Sequence, residues 1–292
     1  MLTLIAAPLT DAVVAAARAQ LPRAAAADWL APDAACDIAF TMPSDNGPRE
    51  IAAAVRTALD GAPVDLAVLP VHGRRKRLLV ADMDSTIIAQ ECIDEMARLA
   101  GKADAVSAVT ERAMRGEIDF EGALRDRVRM LAGLETAAIE RLLEERITLT
   151  PGAVPLVRTM RRHGAKTVLV TGGFTLFASV IAARVGFDQV SANELVVADG
   201  RLTGEVRPPI LGRNAKAEAL LSACRALAIT PEQAIAVGDG ANDLGMIAAA
   251  GLGVAFHAKP ILADAADVRI DHGDLTALLY LQGYRLNEFV ER

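Results

Sequence analysis

Four apolar residues, Leu78-Leu79-Val80-Ala81, run directly into Asp82-Met83-Asp84-Ser85-Thr86. A short apolar run bounded by polar residues reads as a buried strand, which puts the carboxylates at its carboxyl end. Side chains alternate along an extended chain, so Asp82 and Asp84 project to one side and address the same small volume. In open α/β sheets that edge is where ligands bind. Two carboxylates so close repel unless a cation lies between them or one of them holds a proton. The junction therefore points to a parallel sheet with chemistry at its strand ends.

The chain has 292 residues, enough for one large core or two unequal domains, and the patterning favours two. Hydrophobic residues make up 52%, carried largely by alanine and valine rather than by the 3% aromatics, which fits a well-filled interior and excludes disorder. A formal net charge of −6 and a pI near 5.4 leave no broad positive field, so neither nucleic acid nor an acidic membrane surface is expected as a partner. The local basic run Arg74-Arg75-Lys76-Arg77 lies between two apolar strand candidates and reads as a solvated linker. Cys36, Cys92 and Cys224 are odd in number and far apart, which suggests no disulfide framework or metal-thiolate site and fits a reducing cytoplasm. The apolar start, Met1 to Ala7, has no basic leader and soon meets Asp11, so it reads as a first strand rather than a signal peptide or membrane span.

From residue 2 to about 70, strand patterns at Leu2 to Ala6, Trp29 to Ala31, Cys36 to Thr41 and Val64 to Leu69 alternate with helices at Asp11 to Gln20 and Pro48 to Leu59. The order βαββαβ predicts a small ferredoxin-like α+β domain over residues 1–72. A second unit begins at Arg77, with strands expected at Leu78 to Ala81, Lys166 to Val170, Ala234 to Val237 and Gly253 to Phe256 and helices between them. This is α/β patterning, and it predicts a doubly wound parallel sheet formed by residues 77–86 and 156–292. Residues 87–155 read as almost wholly helical and are too many for an ordinary crossover, so they are expected to form a cap. Asp199-Gly200 between apolar flanks predicts a β-hairpin.

Three further segments carry chemistry. Thr171-Gly172-Gly173-Phe174 closes the second core strand, where a hydroxyl and glycine amides can face one oxyanion and the missing side chains permit close approach. Asn214 can cap a helix that opens Ala215-Lys216, placing an ammonium on a first turn where the dipole also favours anions, although a surface lysine fits the same pattern. Gly238-Asp239-Gly240-Ala241-Asn242-Asp243 again follows an apolar strand. Four carboxylates in one crevice, offset by one lysine, call for a hard divalent cation.

In this order and context the four segments resemble the haloacid-dehalogenase-like phosphatases, and in detail their phosphoserine phosphatase branch, over residues 77 to about 285. The resemblance implies that Asp82 is a nucleophile that becomes an aspartyl-phosphate. It implies that Asp84 protonates the leaving alcohol and then deprotonates the attacking water, and that Mg²⁺ binds Asp82, the backbone carbonyl of Asp84, and Asp239. Phosphoryl transfer spreads charge over peripheral oxygens and asks for positioning and electrostatic stabilisation, which Mg²⁺, Lys216, Thr171 and nearby amides would supply. Asp243 is expected to orient Asp239 or Lys216, and Asn242 to reach the phosphate or its neighbouring loop. Thr171 departs from the serine common in that branch but keeps the hydroxyl.

In the cap, Leu124, Val128 and Leu131 share a helix face on which Arg127 also falls, while Arg125 and Arg129 point away. An inward arginine needs an anionic partner, whether a structural salt bridge or a ligand. The resemblance implies that it clamps the substrate carboxylate, a task suited to a bidentate fork. Glu91 and Glu95 both fall on the face of Ile88 and Cys92, and spacing does not choose between them. The resemblance selects Glu91 as the partner of the substrate ammonium, with Met114 and Phe120 packing about the bound molecule, although core packing explains those two equally well. His72, His163, His257 and His272 fall outside the motifs and read as surface or loop residues. The expected activity is Mg²⁺-dependent hydrolysis of phosphoserine to serine and phosphate, the last step of serine synthesis, in the cytoplasm. The same chemistry on another small phosphomonoester, transfer to a second alcohol, and amino-acid sensing by the N-terminal segment stay open. So does oligomeric state, a homodimer included.

Overall fold

The first strand, β1 (Leu2–Ile5), has all four residues buried because both of its faces are covered. The computed structural model describes residues 1–115, 117–212 and 214–291, apart from the Met114 side chain. After β1 come α1 (Asp11–Ala19), β2 (Asp28–Ala31), β3 (Ala35–Ile38), α2 (Pro48–Ala58) and β4 (Asp65–Val68). The four strands form an antiparallel sheet in the order β2-β3-β1-β4, as βαββαβ predicts. Leu2 and Leu4 pack with Val14, Ile51 and Val55 beneath the helices, whereas Ile5 joins the larger core on the opposite face. The period of two thus serves two cores at once. Local chemistry starts both helices: the Thr10 hydroxyl accepts from the Val13 N–H at 3.4 Å, and Pro48 occupies the first turn of α2.

The second unit opens with β5 (Leu78–Ala81), followed by α3 (Cys92–Leu99), α4 (Ala103–Met114), α5 (Phe120–Arg129), α6 (Thr136–Glu145) and α7 (Ala153–Arg162). Then come β6 (Lys166–Phe174), α8 (Thr175–Val185), β7 (Gln189–Ala198), β8 (Arg201–Arg207) and α9 (Ala215–Ala226). The chain ends with β9 (Ala234–Gly238), α10 (Leu244–Ala249), β10 (Leu252–Phe256), α11 (Pro260–Ala263), β11 (Val268–Ile270) and α12 (Ala277–Leu281). The seven-stranded sheet has the order β11-β10-β9-β5-β6-β7-β8 and is parallel except for β8. Strand order reverses at β5, with β9 on one side and β6 on the other, and this is the switch point where α/β sheets open a crevice. Every residue of β5 and β9 is buried, as continuous apolar runs in a doubly covered sheet require.

Helices α3 to α6 lie between β5 and α7 as a run of helix alone, entered and left through two paired segments. The Ala89 N–H donates to the Thr148 carbonyl (3.1 Å) and the Thr150 N–H to that of Ile87 (2.9 Å). The Asp199-Gly200 turn has both residues at positive φ, 50° and 72°, which is the geometry a two-residue hairpin of this twist needs. That hairpin also holds the insertion: the Gly133 N–H donates to Leu202 O (2.8 Å), and the Thr136 N–H donates to Gly200 O (2.9 Å). Among the described residues no helix is long and apolar enough to cross a membrane.

The basic run is not a solvated linker at its first position. The Arg74 side chain is only 9% exposed, and its guanidinium donates to Asp37 (2.6 Å), to the Thr3 hydroxyl (3.0 Å) and to the carbonyls of Tyr280 and Leu281 (both 3.1 Å). One fork therefore ties β1, β3 and α12 together, and residues more than 200 positions apart supply its partners. Charge patterning sees the cation but not the distant acceptors. Arg75 stacks 4.1 Å from the Tyr284 ring centroid and pairs with Glu288. A second tie runs through Asp65, buried on β4, whose carboxylate accepts the amides of Asp271 (2.7 Å), His272 (3.2 Å) and Gly273 (2.7 Å).

Arg74→Ala would leave the Asp37 carboxylate buried without its cation, a change that costs about 3–5 kcal/mol. Urea unfolding is expected to show a loss of that size, and a variant as stable as its parent would remove this residue from the joint.

Candidate active site

The crevice at β5 is built from the ends of three adjacent strands. Asp82 follows β5, Thr171 to Phe174 end β6, and Asp239 follows β9. The backbone at Asp82 (φ −69°, ψ 160°) and Asp84 (φ −66°, ψ 137°) stays extended, so both side chains reach the same cavity, as alternation predicts. Ser85 then turns the chain with φ 55°, and the Ile88 N–H closes a wide loop on Met83 O at 3.0 Å. A left-handed serine is a strained position held by its surroundings. Here its hydroxyl donates to Glu91 Oε1 at 2.8 Å, linking the first motif to the start of the cap.

Both oxygens of Asp82 are engaged, one by the Met83 N–H (2.7 Å) and the other by Lys216 Nζ (2.7 Å). The ammonium also contacts Asp243 at 2.6 Å and is itself buried. Asp243 turns its second oxygen to the amides of Asp239 and Gly240, each at 3.1 Å, so it orients both partners named in the sequence reading. Asp84 accepts the Cys92 amide at 3.1 Å. Gly238 must lack a side chain, since a Cβ there would stand 2.3 Å from the Asp243 carboxyl carbon. At Gly173 a Cβ would stand 2.9 Å from Asp84 Oδ2, so the missing side chain lets Asp84 come close to this backbone.

A cavity of about 170 Å³ gathers Asp82, Asp84, Glu91, Phe120, Arg127, Thr171, Gly172, Gly173, Asp239 and Asn242. Lys216 lines an adjoining recess with Phe120, Thr171, Gly172 and Asn242, and Asp243 lies buried beneath. Of the sequence-predicted residues, only the Met114 side chain lies outside the described residues. The structure separates the two glutamates. Glu91 precedes α3 and faces the cavity, whereas Glu95 pairs with Arg98 and Arg146 in another groove. Arg127 faces the cavity and, among the described residues, has no ion-pair partner; its contacts are Ala123 O (3.2 Å) and, at 3.5 Å, Thr110 Oγ1. The expectation that Asn214 caps α9 with its side chain is corrected: its backbone is helical (φ −88°, ψ −11°), and its side chain makes no capping bond.

Two polar residues of the site escaped the sequence reading. Ser85 stood inside the quoted motif without a role, and Lys259 lines the cavity with Nζ 3.4 Å from Asp239. Lys259 lies three residues beyond β10, the one expected core strand followed by no recognised motif, and strand-end position was the available signal.

Electrostatics explains why this site asks for a cation. Burial pushes the Asp82 carboxyl well above its usual range, with Lys216 opposing and Asp243 adding to the rise. Asp84 and Asp239 are raised for the same first reason, and burial together with the Asp84 charge pushes Glu91 up to about 7. Carboxylate oxygens of Asp82, Asp239 and Asp243 lie within 4.8 Å of one another, an all-oxygen donor set of the kind hard divalent ions take. Asp243 lies beneath the cavity, whereas Asp82 and Asp239 line it and are the acids placed to meet an ion there. The residues present fit a hard divalent metal.

The sequence profile of the haloacid dehalogenase-like hydrolases matches residues 79–248. A phosphoserine phosphatase of Archaeoglobus fulgidus is 44% identical over 231 residues, covering 78% of this chain and 67% of that protein. One from Streptomyces coelicolor is 42% identical over 241 residues, covering 82% of this chain; here the chain spans only 58% of its relative's length. A solved haloacid dehalogenase family hydrolase from Salmonella enterica serovar Typhi superposes with a TM-score of 0.85 at 28% identity, covering 96% of this chain and 97% of its own.

Lys216→Met would leave two buried carboxylates, Asp82 and Asp243, without their shared cation. Without the ammonium the folded-state pKa of Asp82, already raised by burial, rises further above its unfolded value, so the folded variant binds more protons than the unfolded chain and loses stability as pH rises. Denaturation at pH 5 and pH 8 should show the larger penalty at pH 8; an equal penalty at both would refute this account.

Proposed function

From a chain that belongs to the haloacid dehalogenase-like hydrolases, we propose a phosphatase that converts O-phospho-L-serine to serine and phosphate, the step that yields free serine. The observation that carries this reading is the two-ended cavity. At its floor stand Asp82, Asp84, Thr171, Gly172, Gly173 and Asn242, with Lys216 alongside, and from the cap come Glu91 and Arg127. Phosphate suits the floor; an ammonium suits Glu91 and a carboxylate suits the unpaired Arg127 fork. Phosphoserine has all three groups on one small skeleton. Phe120 covers the Gly172 loop, where a Cβ would lie 3.4 Å from its ring.

The chemistry proceeds in two displacements. A carboxylate oxygen of Asp82 attacks phosphorus as the bond to the serine oxygen breaks, giving an aspartyl-phosphate, and Asp84 delivers a proton to the departing alkoxide. Burial, which favours the protonated carboxyl, prepares Asp84 for that donation. Asp84, now ionised, takes a proton from water, whose oxygen attacks phosphorus and restores the Asp82 carboxylate. Lys216, held by Asp243, Thr171 and the glycine amides meet the charge on the peripheral oxygens. Mg²⁺ would be held by Asp82, the Asp84 carbonyl and Asp239, and when bound it supplies charge neutralisation for the phosphate and its carboxylate neighbours.

Phosphate release from phosphoserine should require Mg²⁺ and stop on chelation, and a panel of phosphorylated metabolites should rank phosphoserine first. Asp82→Asn should abolish turnover and acid-stable phosphoryl labelling while leaving the fold intact; retained turnover would end the covalent scheme. Arg127→Ala removes a charge-assisted contact, so kcat/KM for phosphoserine should drop about 10- to 100-fold. Phosphoethanolamine, which lacks the carboxylate, should be affected much less, and equal losses would take Arg127 out of substrate recognition.

A further inference from the structure

Asn193 lies on β7, outside every motif and outside the cavity lining, yet it is buried with 1% of its surface exposed. Its amide spans two loops. Nδ2 donates to the Gly172 carbonyl at 2.8 Å, and Oδ1 accepts the Leu211 N–H at 2.8 Å. The ladder between β6 and β7 loses register between Val170 and Phe174, so the side chain holds the glycine segment where regular pairing is interrupted.

The carbonyl and the N–H of a trans peptide point in opposite directions. Drawing the Gly172 carbonyl toward Asn193 therefore aims the Gly173 N–H the other way. On that side it meets Thr171 Oγ1 at 2.8 Å, and a Cβ built on Gly173 would stand 2.9 Å from Asp84 Oδ2 and 3.1 Å from Thr171 Oγ1. The N–H thereby fixes the Thr171 hydroxyl, which lines the reacting end of the cavity. The second bond fixes Leu211, which with Gly212 lines the recess occupied by Lys216. A single amide thus sets a backbone donor and the approach to an ammonium in one register.

We propose that Asn193 is a positioning residue for phosphoryl transfer: it orients the Gly172–Gly173 peptide so that the Gly173 N–H holds the Thr171 hydroxyl oxygen and leaves that hydroxyl's own proton to donate to the phosphoryl group, and it anchors Leu211 beside Lys216. The inference rests on the phosphatase reading given above. Neither function can be met by a side chain that only fills space, because the Gly172 carbonyl needs a donor and the Leu211 amide needs an acceptor. A primary amide supplies both without charge, from two atoms set apart on one rigid plane.

The test compares the full-length wild type with Asn193→Leu and Asn193→Asp. Leucine removes both bonds at similar volume, and aspartate keeps the acceptor for Leu211 but loses the donor for Gly172. Val206→Ala, a buried truncation on β8, serves as a control for general destabilisation. For each folded variant, kcat and KM for phosphoserine, the inhibition constant of inorganic phosphate and the thermal midpoint are measured. Misaiming one oxyanion donor should lower kcat about 10- to 100-fold, somewhat less than outright removal of such a donor costs. Inhibition by inorganic phosphate should weaken in parallel in both Asn193 variants. The control should lose thermal stability with its kcat retained. If one Asn193 variant fails to fold, the other carries the comparison. A folded variant whose kcat and phosphate inhibition match the wild type would overturn the inference and leave Asn193 a structural strut. A wild type that releases no phosphate from phosphoserine would instead overturn the functional reading beneath it.

Discussion

Carboxylates crowded at the ends of central strands set the terms for the rest of this molecule. Asp82, Asp84 and Asp239 meet at the switch point of a parallel sheet, with Asp243 buried below them. Burial raises the first three, and one ammonium, that of Lys216, bridges Asp82 and Asp243. Lys216 and the more exposed Lys259 beside Asp239 are too few to neutralise four acids, so the site suits an added hard metal ion. Buried charge without a partner is costly, which is why the surrounding backbone is so heavily used to satisfy these oxygens. The amides of Met83, Cys92, Asp239 and Gly240 all serve that end.

In the proposed reading the helical insertion adds selectivity by the same logic at longer range. Glu91 and Arg127 project into the cavity from the insertion, and neither is neutralised by a structural ion pair among the described residues. Glu95, one helical turn away, shows the contrast: Arg98 and Arg146 consume its charge, and it faces a different groove. Unspent charge inside a small cavity identifies the residues available to a ligand. The hydrogen bonds between the cap and the β7–β8 hairpin give the insertion a third attachment beyond its two linkers.

Much of this arrangement was legible in the residues. Strands with apolar runs ending in acids, the Asp-Gly hairpin, the βαββαβ order and the helical insertion all follow from periodicity and turn chemistry, which are local. Legibility failed where partners are distant. Arg74 reads as a solvated charge because its acceptors, Asp37 and the Tyr280 and Leu281 carbonyls, come together only after both units fold. Asn214 reads as a helix cap by residue type, but capping depends on a backbone conformation that this position does not adopt. Lys259 and Asn193 belong to no motif because each acts through segments far along the chain.

By itself the amino-acid order determined which chemical groups exist and which strand end or helix turn each occupies, since spacing along a strand or helix is fixed by backbone geometry. Tertiary structure alone decided which of those groups face one another. It chose Glu91 over Glu95, left Arg127 without an ion pair, made Arg74 a joint and gave Asn193 two loops to hold. The reason is that the energy of a charge or a polar group depends on what surrounds it, and that environment is assembled from residues the local sequence does not contain.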